Sequence, residues 1–281
     1  MGVFDFLNKQ DNENPEMGFF DHLEVLRWHI IRSLLAILII TILCFIKYDF
    51  LFDNVIFAPL KDSFASYRFL CYLAHITGFN DLCMEVGEIK LTNLQLTGQF
   101  MTQMSTALTA GIILAFPYIV WEIWQFVKPG LHTHEVKKTT NLILFVSFLF
   151  FVGVFFGYFV MTPFSVAFFK SYSISSSIVN SFTLDNYIST LTTTVFSSGL
   201  IFELPVLIYF LSKLGITSPE FLRKYRRHAY VIIIILAAII TPQTDLISLA
   251  LITLPLVLLY EYSISIAKKV YRDSVVNSTN D

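Results

Sequence analysis

Charged side chains are scarce in this sequence. They make up 14% of 281 residues, where a soluble domain carries roughly a quarter. Cysteine is sparse too, with three residues. The histidines lack metal-site spacing: His132 and His134 are two apart, His22 and His29 seven apart, and no HExxH or Cys/His pattern supports zinc. There is no G-x-S-x-G elbow, P-loop or dinucleotide fingerprint. The residues therefore suggest no catalytic constellation, metal or cofactor, and the chain reads as something other than an enzyme. No basic run is interleaved with aromatics, which argues against nucleic acid, and the net charge of −2 decides nothing. About thirty mostly polar residues precede the first apolar run and no small-residue cleavage site follows it, so no cleavable signal peptide is expected.

Apolar residues are what the chain has, at 55%, with a mean hydropathy of +0.66. The expected fold is an all-α membrane protein of six transmembrane helices. Residues 1–17 read as a disordered polar tail, 18–268 as the membrane domain and 269–281 as a second tail. From Gly18 to Arg32 apolar residues recur at helical spacing, predicting an amphipathic segment at the interface before the first span, Ser33 to Ile46. A long loop, 47–100, follows. Span two is expected over Thr102 to Val127, with a kink at Pro117. Span three runs Thr140 to Met161 and stops at Pro163, its Gly153 and Gly157 suited to close packing. Span four is Thr190 to Leu211. The last two apolar runs, Ala229 to Ile240 and Leu246 to Ala267, look short for a core about 30 Å thick.

Six spans place both termini on one side. Fourteen of the 19 Lys and Arg fall on that side and five (Lys47, Lys61, Arg68, Lys90, Lys170) on the other. Positive residues stay inside, so both termini are expected in the cytoplasm. Cys71 and Cys83 then share the long outer loop, open to a disulfide in an oxidising compartment or to standing as two thiols.

The stretch Phe116 to Lys138 organises the inner face. Trp121 and Trp124 are spaced for a membrane surface, and the helix breaks at Pro129-Gly130 into a charged loop holding Glu135. Glu135 and Glu24 are placed at the inner rim, where a carboxylate can grip a guanidinium by two parallel hydrogen bonds. Glu122, one turn inside the Trp belt, is expected only to pair with Lys128. Glu203 is ten residues from Lys213, hence about 15 Å from the inner boundary. An acid at that depth is costly and by default functional, the bland reading being a hydrogen bond to nearby Thr and Ser. Pro205 bends the helix beside it.

Six motifs occur in order: HLEVLR (His22 to Arg27), FAPL (Phe57 to Leu60), WQFVKPGLHTHE (Trp124 to Glu135), FELPV (Phe202 to Val206), GITSPEFLRKYRR (Gly215 to Arg227) and TPQTD (Thr241 to Asp245). Together they resemble the TatC family, the multispanning receptor subunit of the twin-arginine protein translocase. The resemblance covers about residues 18 to 265 and implies a concave six-helix bundle in the bacterial cytoplasmic membrane. It implies that twin-arginine signal peptides are bound and that folded proteins are exported with single-span TatA and TatB partners, driven by the proton-motive force. It assigns signal-peptide contacts to Glu135, Glu24, Arg27 and Phe126. Mid-membrane or partner contacts fall to Glu203, Pro205, Thr241 and Asp245, and a structural role in the outer loop to Pro59. Two departures stand out. The family's HLxELR acid is replaced by Val25, with Glu24 about 100° away on a helix, and Leu249 follows Ser248 where the family often has Gln. The competing reading is a proton- or ion-coupled solute carrier with Glu203 as coupling acid. It predicts two related halves, and no such repeat is visible.

Overall fold

The computed structural model describes residues 19–77, 83, 87, 89–127, 139–175, 177, 180–213, 215–240 and 246–278. Glu135, Thr241 and Asp245 lie outside these, as does the tail 1–17. Five helical stretches are long and apolar enough to cross a bilayer: Leu23–Ile46, Gly98–Val127, Leu142–Ser171, Leu184–Lys213 and Leu249–Lys269. A sixth, α10 (Arg226–Ile240), has 15 residues, or about 22 Å of helix.

Several elements differ from the sequence expectation. Helix α1 is one unbroken rod, Phe19–Ile46. No Pro or Gly interrupts it, so the expected interfacial segment and first span share one backbone ladder. After α2 (Tyr48–Leu51) and α3 (Ala65–Thr77), α4 runs Gly98–Val127, starting four residues before the expected span and containing Pro117. Span three does not stop at Pro163. Helix α5 (Thr139–Phe156) widens into a π-turn, Gly157–Met161, and continues as α6 (Thr162–Ser171) with Pro163 in its first turn. The π-turn loosens the ladder just before it, the Thr162 N–H reaching back five residues to the Gly157 carbonyl, beside a residue that has no N–H of its own.

Span four, conversely, is broken. Helix α7 (Leu184–Phe202) ends at Glu203, and α8 (Leu204–Lys213) has as its second residue Pro205, which lacks the N–H that would continue the ladder. Gly215, at φ +72°, follows the end of α8, and Ser218 caps α9 (Pro219–Lys224) by accepting from the Phe221 N–H. Helix α11 runs Leu246–Ser278, past the expected boundary of the domain at 268.

Close approach sets the packing. A Cβ on Gly153 would lie 2.6 Å from the Ser198 carbonyl oxygen and 2.9 Å from Gly199 Cα, and one on Gly157 2.9 Å from Val195 Cα. These two glycines therefore let α5 lie against α7. A Cβ on Gly111 would collide with Thr41, which joins α4 to α1 in the same way. The outward sides of the helices are apolar: Leu34, Leu35, Leu38, Ile39 and Ile42 of α1 are all exposed in the isolated chain. Such a continuous belt needs lipid around it, so the chain is a multi-pass membrane protein.

Three tyrosines pin the loop at the end of the bundle where α1 stops. Tyr158, Tyr187 and Tyr67 donate to the carbonyls of Val55, Ile56 and Pro59 at 2.6, 2.6 and 3.0 Å. Burial, with Asp62 adding to it, pushes the Tyr67 hydroxyl above the usual phenol range, so it remains a donor. Pro59 is fully buried in this cluster. Cys71 and Cys83 are joined by a disulfide. Leu91 and Thr92 (β1) pair in parallel with Phe182 and Thr183 (β2), tying the loop to the start of α7.

Candidate functional site

The opposite end of α1 and α4 carries the sequence-predicted rim. Glu24 and Arg27 are exposed on α1, whereas Val25 and His29, one turn apart, share its inner-facing side and are partly buried. The structure thus separates Glu24 from the face that meets α4. Phe126 is brought to that face, its ring 6.3 Å from the His29 imidazole, edge to face.

Beside them lies a group to which the sequence reading gave only a local ion pair. Glu122 is 1% exposed. Its Oε1 accepts from the Tyr118 hydroxyl at 2.6 Å, and its Oε2 accepts from His29 Nδ1 at 2.5 Å. Arg32 contributes its charge from one turn further along α1. Glu122 is therefore paired to α1; its expected partner Lys128 lies outside the described residues. The carboxylate lies near the rim end of α4, five residues before its last residue, Val127. A His and a Glu on two apolar helices, each about one turn inside the rim, were the only signal in the sequence that these helices meet there. The two tryptophans also divide. Trp121 is exposed, as a surface anchor should be, but Trp124 turns inward against Phe210 of α8, at 5.7 Å.

Glu203 sits at the α7–α8 break, with both carboxyl oxygens sealed from solvent. The hydrogen bond to Thr or Ser that the bland reading offered is not formed among the described residues. It faces the Phe150 backbone, and neither oxygen has a well-formed hydrogen bond among the described residues. An acid left this way is costly. A third polar group was also unforeseen. Arg226 Nη2 meets Glu261 Oε2 at 2.9 Å and the Tyr230 hydroxyl donates to Glu261 Oε1, clamping short α10 to α11.

A sequence profile described as "TatC: Sec-independent protein translocase protein (TatC)" matches residues 21–255. The chain belongs to the TatC family. A Sec-independent protein translocase protein TatC of Blattabacterium sp. subsp. Periplaneta americana is 40% identical over 258 residues, 91% of this chain and 97% of that one. The TatC of Carboxydothermus hydrogenoformans is 37% identical over 91% of this chain and 95% of its own length. A crystal structure of a twin-arginine translocase receptor TatC, determined in DDM, superposes with a TM-score of 0.69 at 29% identity, covering 88% of this chain and 99% of that one. TatC proteins are translocase components, so the chain is a transport protein and not an enzyme. None of these relatives supports the solute-carrier alternative.

Proposed function

We propose that this TatC-family chain is the receptor for twin-arginine signal peptides. It sits in the bacterial cytoplasmic membrane with both termini inside, and it works with single-span TatA and TatB partners to export folded proteins on the proton-motive force. The observation that carries the reading is the likeness to a crystallised twin-arginine translocase receptor over nearly the whole chain. The bias of Lys and Arg toward one side supports the orientation.

In this reading Glu135, eight residues beyond the end of α4, and Glu24 grip the two guanidinium groups by paired hydrogen bonds. Arg27 sits beside Glu24 on α1, and Phe126 supplies an aromatic wall. The apolar part of the peptide then lies along the concave side toward Glu203 and Pro205, with Thr241 and Asp245 as partner contacts. Short α10 thins the bilayer locally and eases passage of cargo. Calorimetry of the full chain with a twin-arginine peptide tests the central claim. Glu135→Ala should weaken binding by thirtyfold or more, the scale of removing one partner of a desolvated charge pair, and Glu24→Ala by less. Unchanged binding by Glu135→Ala, or equal affinity for a twin-lysine peptide, refutes it. Co-purification from membranes tests the small partners.

A further inference from the structure

The end of the bundle away from the rim holds a cavity of about 860 Å³, within the range of about 300–1,000 Å³ that accepts a sizeable ligand. Its walls come from α1, α4, α5, the π-turn, α7 and the loop segment 50–65, with Ile113, Val154, Phe159, Leu191 and Val195 among them. Most of the hydroxyls along these walls are spoken for. Thr106, Thr109 and Thr192 return theirs to the carbonyls of Thr102, Ser105 and Ile188 in their own helices, and Tyr158 gives its own to Val55. Apart from Ser63, Asn54 and the charged groups at its edge, what remains facing the cavity is chiefly hydrocarbon, and apolar surface holds water poorly. The mouth opens sideways past Leu43, Phe50, Leu114 and Phe155, all exposed. In a membrane that side is occupied by acyl chains.

Polar groups collect at one edge of the cavity, beside the long loop. Lys47 stands where the apolar run of α1 ends at Ile46, and Lys61 stands across the same opening. Both are exposed, and neither has an ion pair among the described residues. Asp53 lines the same cavity, so the three charged groups sum to a single positive charge, which suits a single phosphate better than a polyanionic headgroup. We propose that the cavity is a binding site for one glycerophospholipid of the adjacent leaflet, an acyl chain lying between α1, α4, α5 and α7 and the phosphate held by Lys47 and Lys61. Such a lipid would fill the hollow and brace α1, which otherwise touches the bundle mainly through α4.

Native mass spectrometry of the delipidated full chain tests this, with dioleoylphosphatidylglycerol and dioleoylglycerol as probes. A single phosphatidylglycerol adduct is expected, with diacylglycerol held far more weakly. The exposed double exchange Lys47→Gln/Lys61→Gln should keep the fold and lower retention about thirtyfold, at the usual worth of each basic residue toward an anionic lipid. Ala110→Phe, which fills the cavity, should abolish the adduct while the protein stays monodisperse. Equal retention of diacylglycerol, or a double exchange that binds like wild type, overturns the phosphate contact. A photo-crosslinker at Phe155 that captures a partner's helix in native membranes, and no lipid, overturns the site.

Discussion

The Glu122–His29–Tyr118 cluster makes a quantitative prediction, because it is a polar tie between α1 and α4. Glu122→Ala removes a carboxylate that accepts two hydrogen bonds, at 2.5 and 2.6 Å. Hydrogen bonds to charged groups contribute about 1.5–3 kcal/mol each, so two set a ceiling of about 6 kcal/mol. The cluster lies near the rim end of α4, where water and headgroups replace lost partners, and a loss of about 2–3 kcal/mol is the reasoned value. Glu122→Gln keeps the shape and one acceptor and should lose about 1 kcal/mol. The measurement is a double-mutant cycle of His29→Ala and Glu122→Ala by denaturant titration of the purified chain in mild detergent. A coupling of about 1–2 kcal/mol is expected. Because Gly111 seats Thr41 farther along the same pair of helices, the helices should remain associated in the single variants. Effects that add within about 0.5 kcal/mol would mean that the two side chains share no tie, and the reasoning would fail.

Other positions give sharper contrasts. Glu203→Leu should stabilise the protein by about 1–3 kcal/mol, since it removes a sealed carboxyl without a well-formed partner, while transport of a twin-arginine cargo falls; unchanged transport would make the acid dispensable. Gly153→Leu should lower the melting temperature sharply, because even a Cβ there meets the Ser198 carbonyl at 2.6 Å and overpacking costs about 1–3 kcal/mol. Tyr187→Phe leaves the Ile56 carbonyl unpartnered and should cost about 1–3 kcal/mol, read as a lower denaturant midpoint. Cys71→Ser/Cys83→Ser opens a link between residues 12 apart. It should lose up to about 3 kcal/mol, and a melting curve insensitive to reductant in the wild type would refute that.

The helices themselves were legible because hydrophobic runs and helix breakers are local. The long loop, the apolar spans and the six motifs were all readable in one dimension, and so was the family they resemble. Where prolines fell the reading was less secure. Pro117 and Pro163 are both carried within helical stretches, whereas Pro205 stands in the first turn of α8, just past the end of α7 at Glu203.

By itself the sequence determined that this chain lives in a membrane as a bundle of helices, because burial of apolar side chains and backbone hydrogen bonding within each helix depend on near neighbours. Only the tertiary structure decided that Glu122 belongs to His29, 93 residues away, that Trp124 faces inward and Trp121 outward, that Cys71 meets Cys83, and that a hollow opens between four helices. Those outcomes depend on the rotation and crossing of whole helices, set by where glycines let backbones touch, and no local pattern carries that information.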